Sequence, residues 1–424
     1  MHPEVLKLIE KMKILHTADI HIGYENFGRL DPATGLNTRL LDFKRCFDFM
    51  VETAIKEQVD VFLFCGDAYR THDPSPTQQK IFVDCLKPIA DAGIPMVMLT
   101  GNHDQPVSFG KASSISIFEH LTGKVMVFEQ PDLKVIQTAS GPLQVLGLPW
   151  PVRSKLWAKE EHKQKSPSEV REMIEAKYAE YIKVVMEQDI DPEVPCVLAA
   201  HLTVQGAEMS GSERSSVIQH EPTFLVSSLA HPQLDYVALG HIHRFQDRNK
   251  GYKPPVVYAS SIERVTFKEA DAEKGFVLVS ITGQGRERET QYRFVETPAR
   301  RFVSVSVDVR DCTNPTERII TEIRKYVVNE AIVRVRYEVN EDQTNLVDLA
   351  AIRSQLTTAA SIASIERVVE RRQVQRTATL TRDASLKSAM EAYIARHEHL
   401  EPIGEDLIEK ALALDQLLAV SEVV

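Results

Sequence analysis

Short motifs spaced along the first 245 residues carry side chains able to hold metal ions. Asp19 and His21 stand two apart in ADIHIG, Asp67 in CGDAYR, and Asn102 with His103 and Asp104 in TGNHDQ; His201 follows in AAHLT, then His241 and His243 in GHIH. All are nitrogen or oxygen donors, with no thiolate among them. Such a set suits two divalent cations of the manganese, iron or zinc kind held close together. Two dications bring four positive charges and two aspartates remove two, leaving about +2 at a site whose other ligands are neutral. An anionic substrate and a hydroxide nucleophile balance that charge. Phosphate-ester hydrolysis fits, because metals make the nucleophile available near neutral pH and stabilise charge on the phosphoryl oxygens.

Roles follow from chemistry and position. Asp67 stands alone behind its apolar run with two carboxylate oxygens, so it is the choice to bridge the ions. Asp19 and His21, which lean the same way in an extended chain, complete one site with one histidine of GHIH. Asn102, His201 and the other GHIH histidine complete the second. His103 is free to protonate the leaving oxygen, with Asp104 to orient it as carboxylates do for imidazoles. Any one of these motifs alone is more often turn or capping chemistry. Five in chain order, each ending an apolar run, form a pattern that capping does not explain.

The elements that must position them are readable. MKILHTAD, VDVFLFCGD, IPMVMLTGN, PCVLAAH and LDYVALGH read as buried strands alternating with helical stretches, the pattern of an α/β domain. Polar residues at the carboxyl ends of several strands are where open α/β sheets assemble ligand sites. The charged, helical insert at about 151–190 is expected to lie over the domain edge. After KGFVLVSI the texture changes. RFVSVSVDV and AIVRVRYEV alternate apolar and polar residues as strands with one solvated face, and PTERIITEIRKYVVNE between them has helical spacing. LAAIRSQLTTA and IASIERVVERRQ continue as helix and strand. The end of the chain reads as two amphipathic helices around EPIGE, with Leu386, Met390, Tyr393 and Ile394 on one face and Leu407, Ile408, Ala411, Leu412 and Leu418 on another. The expected organisation is an N-terminal extension at 1–11, an α/β unit at 12–285, an α+β unit at 297–376 and a helical tail at 380–424.

Bulk properties exclude some classes. No run approaches the roughly 18 apolar residues of a membrane span, and the start lacks a signal-peptide core, so a cytoplasmic protein is expected. Five cysteines without a CxxC pair fit a reducing compartment and packed thiols. The net charge of −10 argues against a basic nucleic-acid coat, yet residues 286–382 hold 17 Lys and Arg against 14 Asp and Glu, and residues 383–424 hold 3 against 9. Arg334 and Arg336 share one strand face, and Arg367, Arg371, Arg372 and Arg376 follow with acidic residues interleaved. A solvated face and phosphate contact are both open for them.

D-x-H, G-D, G-N-H-D, H and G-H-x-H in this order resemble the calcineurin-like metallophosphoesterases over residues 12 to 280. ILHTADIHIG, GNHDQP, HLTVQGAEMSGSER and YASSIERVTFKEADAEKGFVLV are similar to the SbcD-type nuclease subunits, bacterial relatives of the meiotic recombination eleven nuclease. That resemblance implies a four-layer sandwich, two stacked mixed sheets flanked by helices, followed by a small α+β DNA-capping domain and C-terminal helices. It implies two Mn2+ ions and cleavage of DNA phosphodiesters, as 3′ to 5′ exonuclease on duplex and endonuclease on single strands, in the processing of ends and hairpins during recombination and repair. The terminal helices would dock an SbcC-type ATPase, with a homodimer inside a heterotetramer and a place in the cytoplasm at the nucleoid. It also divides GHIH, His243 to the site of Asp19 and His21 and His241 to that of Asn102 and His201. One departure concerns Arg70, which stands where several members have a histidine three positions after the bridging aspartate, with His72 two residues on. Arg70 is expected to contact DNA phosphate beside the metals, and His72 is the accompanying candidate.

Two rivals share parts of this pattern. A phosphomonoesterase or small phosphodiesterase uses the same metal core, but the arginines expected in GDxVDRG and just after GNHE are missing from GDAYRTH and GNHDQPVSFGKAS. A silent DNA-end scaffold would carry a broken ligand set, whereas every proposed ligand is present.

Overall fold

The structure is a computed structural model that describes residues 11–106, 110–120, 124–151, 165–211, 221–310, 312–370, 385–395 and 398–421. Residues 1–10, Arg371, Arg372, Arg376 and the Leu418 side chain lie outside the described residues.

Two six-stranded mixed sheets form the body. The first orders β14 (Glu289–Glu296), β13 (Gly275–Thr282), β1 (Met12–Thr17), β2 (Val61–Phe64), β3 (Met96–Leu99) and β4 (Val125–Phe128). The second orders β11 (Gln246–Asp247), β12 (Val256–Tyr258), β10 (Tyr236–Gly240), β7 (Cys196–His201), β6 (Gly141–Leu148) and β5 (Asp132–Thr138). The inner strands of each sheet run parallel, and β13, β14, β5 and β11 add antiparallel edges. Parallel strands covered on both faces bury every side chain, which is why these runs are continuously apolar.

Three apolar layers hold four structural layers together. Helix α1 (Thr38–Glu57), begun by the Asn37 cap, and α2 (Pro76–Asp91), begun by a Ser75–Gln78 capping box, cover the outer face of the first sheet. Phe43, Phe47 and Phe82 pack there on Phe62 and Phe64. Between the sheets lie Ile14, Val61, Leu63 and Val97 against Val197, Ala199 and Ala238. On the far side, α3 (Pro167–Gln188) places Val170, Ile174 and Ile182 over Leu146, Leu198 and Leu239. The short elements β8 (Thr203–Val204), β9 (Thr223–Phe224) and α4 (Val226–Leu229) follow β7 on this side. One polar link crosses the middle layer: His16 is fully buried, with Nδ1 3.1 Å from the Tyr236 hydroxyl and Nε2 3.2 Å from the Leu239 carbonyl.

The first sheet extends past residue 285, where the sequence texture changes. Strand β14 pairs with β13 from Gly275↔Glu296 to Thr282↔Glu289. Its charged, half-exposed alternation is that of an edge strand, so it resembles a loop more than the buried runs do.

Residues 302–370 build a second unit. Strands β15 (Phe302–Asp308), β16 (Ile332–Asn340) and β17 (Ser361–Glu370) are all parallel, and α5 (Pro315–Ile323) and α6 (Leu349–Ser354) cover one face. Val305, Ile319, Val333, Val335 and Ile352 form its core. The units meet where Phe27, Phe267 and Phe302 cluster, with ring centroids 5.0 to 6.0 Å apart, and where Arg300 reaches both Asp42 and Glu330. Arg334 belongs to this junction: its guanidinium lies 4.5 Å over the Phe267 ring and reaches the Ser304 hydroxyl. It is therefore not presented beside Arg336 as a second cation of a solvated face. Helices α7 (Leu386–Ile394) and α8 (Gly404–Ser421) close the described chain. No described helix is long and apolar enough to cross a membrane.

Candidate metal centre

The carboxyl ends of β1, β2, β3, β7 and β10 bring Asp19, His21, Asp67, Asn102, His201, His241 and His243 to one cavity between the sheets. The backbone achieves this with left-handed turns. Asp19, His21, Asp67 and His241 have φ of 53°, 51°, 63° and 96°, a region costly for residues with a Cβ and concentrated at functional sites. Extended alternation therefore does not aim Asp19 and His21 together, because the ladder of β1 has ended at Thr17. Each turn is tied instead to its neighbour: Asp19 N–H donates to the Gly66 carbonyl at 2.9 Å and His21 N–H to the Asp67 carbonyl at 3.1 Å.

Two pockets share Asp67. In the first, His21 Nε2 lies 2.9 Å from His243 Nε2, and Asp19 Oδ1 lies 3.9 and 3.8 Å from those two nitrogens. In the second, Asn102 Oδ1 lies 3.0 Å from His201 Nε2 and 3.1 Å from His241 Nδ1. Asp67 Oδ2 sits 3.5 Å from both His21 Nε2 and His201 Nε2, one oxygen facing each pocket. The two GHIH histidines thus face different pockets with different ring nitrogens.

The outer hydrogen bonds fix what the inner atoms offer. His201 Nδ1–H donates to the Cys65 carbonyl at 2.7 Å, His243 Nδ1–H to Glu269 at 3.0 Å, and His241 Nε2–H to Glu221 at 3.1 Å. In the neutral ring the other nitrogen then carries a lone pair. Asn102 Oδ1 consequently faces two imidazole lone pairs at hydrogen-bond distance with no proton between them. Acceptors converging in a buried space are the donor set of a cation, and two ligands about 2.1 Å from one octahedral ion stand about 3 Å apart. The residues fit divalent metal ions, and clusters able to hold them are present at Asp19–His21–His243, at Asp19–Asp67–His201 and at His21–Asp67–His103.

Electrostatics agree. Burial pushes the Asp19 carboxyl up, opposed by His243 and His201. Asp67, despite burial, is held well below the usual range by His201 and His103. Burial opposes charging of His201, yet Asp67 raises it to about 9. A cavity with this appetite for positive charge suits cations.

His103 lies at the mouth, half-buried, with Nε2 4.0 Å from Asp67 Oδ2. Asp104 does not orient it. The Asp104 carboxylate is fully buried and accepts the backbone N–H groups of Asp67, Ala68 and Gly101 at 2.7, 3.0 and 2.8 Å, so it shapes the Asp67 turn. His103 is oriented by the Arg70 carbonyl, which accepts its Nδ1–H at 2.6 Å and leaves Nε2 facing the centre. The exposed Arg70 side chain stacks 5.0 Å over Tyr24, and His72 is exposed beyond it. Glu221 and Glu269 were not legible as site residues. A ligand imidazole needs an acceptor behind it, but nothing in the spacing says which carboxylate serves.

A family model described as calcineurin-like phosphoesterase matches residues 12–245, more than half of the chain. The chain belongs to the calcineurin-like phosphoesterase family. Two curated relatives are both described as the SbcD component of the nuclease SbcCD. The one from Escherichia coli (strain K12) is 24% identical over 277 residues, covering 64% of this chain and 65% of that protein. The one from Bacillus subtilis (strain 168) is 27% identical over 274 residues, covering 63% and 66%. The chain thus spans just under two thirds of the length of these relatives. Among solved structures, a dimetal phosphatase from Danio rerio aligns with a TM-score of 0.38 and 11% identity over 66% of this chain and 98% of that one.

Proposed function

We propose that the protein is a metal-dependent DNA nuclease subunit, a 3′ to 5′ exonuclease on duplex and an endonuclease on single strands, working with an SbcC-type ATPase. The observation that carries the reading is the pair of acceptor-lined pockets sharing Asp67 Oδ2 at 3.5 Å on either side. Asp19, His21, Asp67 and His243 would hold one ion, and Asp67, Asn102, His201 and His241 the other, with Mn2+ the favoured metal. Bound there, two such ions supply a nucleophile at neutral pH and charge stabilisation for the phosphoryl oxygens.

The chain's own groups do the rest. His103 Nε2, oriented through Nδ1, holds a proton beside the cavity for the leaving oxygen. Arg70 lies at the same edge, on an exposed loop, as the cation for a flanking phosphate. A DNA substrate is supported by the names of the relatives and by a second unit joined at the same edge through Phe267. Docking of a partner at the C-terminal helices is supported by exposed Leu386, Tyr393, Ile403 and Leu414.

Purified protein tests the reading with 3′-labelled duplex DNA and an aryl phosphomonoester, under Mn2+, Mg2+ or EDTA, with and without the ATPase subunit. Cleavage of DNA with Mn2+ and none with EDTA is expected; turnover of the monoester alone would sink the nuclease reading. His103→Ala is expected to keep bound metal and lose at least 10²-fold in cleavage. Loss of metal would make it a ligand instead.

A further inference from the structure

We infer that Glu221 is a positioning residue of the Asn102–His201–His241 pocket and supplies the negative charge that Asn102 does not. The inference rests on the metal reading of that pocket. Both GHIH histidines lean on a carboxylate, but the two carboxylates stand in different surroundings. Glu269 is fully buried beside Lys274, also fully buried, whose Nζ lies 3.1 Å from Glu269 Oε2; the Val265 N–H and the Ser210 hydroxyl donate to it as well. Its charge is matched at contact, and what it adds to His243 is orientation.

Glu221 is buried too, at 6% exposure. It takes the His241 Nε2–H at 3.1 Å and the Thr203 hydroxyl at 3.4 Å, and among the described residues no lysine or arginine pairs with it. Its charge is left to act through His241. An imidazole hydrogen-bonded to an unneutralised carboxylate is the stronger donor toward a cation. The two pockets differ in a matching sense. Asp19 gives the first a carboxylate of its own besides its share of Asp67, whereas the second has the neutral Asn102 in that place. The uncompensated carboxylate stands behind the pocket that lacks one.

Trp150 offers a local reporter, because its ring lies 4.9 Å from that of His241 and 6.0 Å from that of His201. The chain has two tryptophans, so Trp157→Phe leaves Trp150 as the single emitter. Full-length protein in this background is titrated with Mn2+, following quenching of Trp150 and, by equilibrium dialysis, ions bound per chain. Glu221→Gln is expected to move the quenching midpoint about 10- to 100-fold higher, further than Glu269→Gln moves it. A Glu221→Gln curve that superposes on the parent, or a larger shift in Glu269→Gln, overturns the inference. Glu221→Asp keeps the charge but shortens the reach and should fall between parent and Gln. Coincidence with the parent overturns the positioning role even if the Gln variant does not reproduce the parent's melt in EDTA. If the parent itself binds fewer than two Mn2+, the metal reading fails rather than the role of Glu221.

Discussion

Gly101→Ala is the substitution whose effect can be worked most directly from the structure. A Cβ there would stand 2.1 Å from Asp67 Oδ1, 2.6 Å from Asp67 N and 2.8 Å from its Cγ. Ordinary carbon contacts begin near 3.5 Å, so Asp67 must retreat by roughly 1 Å. It has no slack in which to do so, since its N–H is held by Asp104 at 2.7 Å and its Oδ1 by the His103 N–H at 2.8 Å. The retreat carries Oδ2 out of its place between His21 and His201. Misplacement of about 1 Å at a reacting centre costs on the order of 10²-fold in rate, and a displaced shared ligand weakens both pockets. The assay is turnover of bis(p-nitrophenyl) phosphate at saturating Mn2+, with bound metal measured by mass spectrometry. The expected result is a loss of about 10²-fold together with fewer than two ions per chain. Gly35→Ala, where an added Cβ meets nothing within 4 Å, is the control and should keep its turnover. If Gly101→Ala turned over within threefold of the parent with two ions bound, the role given to Asp67 would be wrong.

The other predictions concern stability. Burial holds His16 neutral with its pKa lowered to about 3 from 6.5, so the unfolded chain takes up the proton first and stability from this group, complete above pH 6.5, is lost as pH falls toward 3. That loss runs at about 1.4 kcal/mol per pH unit, and urea unfolding of the metal-free His16→Gln variant should lack it between pH 6.5 and 4.5; profiles parallel to the parent's would refute the assignment. Asp42, buried, accepts Arg39 at 2.6 Å and Arg300 at 2.8 Å, so Asp42→Ala strands cations at the junction of the two units and should cost about 3–5 kcal/mol in denaturant unfolding. A cost within the error of the measurement would show the cluster to be dispensable. Mn2+ at 100 times its dissociation constant should stabilise by about 2.7 kcal/mol per site relative to EDTA, and a melting temperature indifferent to both would count against any metal centre.

The sequence made some of this legible and hid the rest for physical reasons. Buried parallel strands are unbroken apolar runs, so β1, β2, β3, β7 and β10 and the polar residues ending them could be read in order. Edge strand β14 could not, because its charged alternation carries half the signal. Backbone handedness was hidden as well: Asp19, His21, Asp67 and His241 are ordinary residues for which left-handed φ is uncommon, and period-two reasoning misstates how Asp19 and His21 converge. Asp104 reads as a partner for its neighbour His103, yet its oxygens serve three backbone amides across the Asp67 turn. Arg334 alternates as a solvent-facing cation would, and only its position over Phe267 shows that the second unit claims it. Long-range partners of this kind leave no spacing to detect.

The strained turns also explain why the donors are held rather than merely gathered. Four left-handed residues, each costing on the order of 1 kcal/mol or more, persist only if their surroundings over-determine them, and here each is held by another turn of the same centre. His241 N–H points at the Asp19 carboxylate, 3.0 and 3.1 Å from its two oxygens, while Asp19 N–H is held by Gly66 and His21 N–H by the carbonyl of Asp67. Asp67 N–H goes to Asp104, and Asp67 Oδ1 returns to the backbone of His103. The loops after β1, β2, β3 and β10 therefore form a connected set in which no donor can shift without releasing a hydrogen bond on a different strand end. A flexible cavity could collect the same side chains, but its histidines would rotate to pair with one another's protons. Bracing keeps lone pairs aimed at lone pairs, an arrangement that is unfavourable for the side chains alone and favourable for a bound cation.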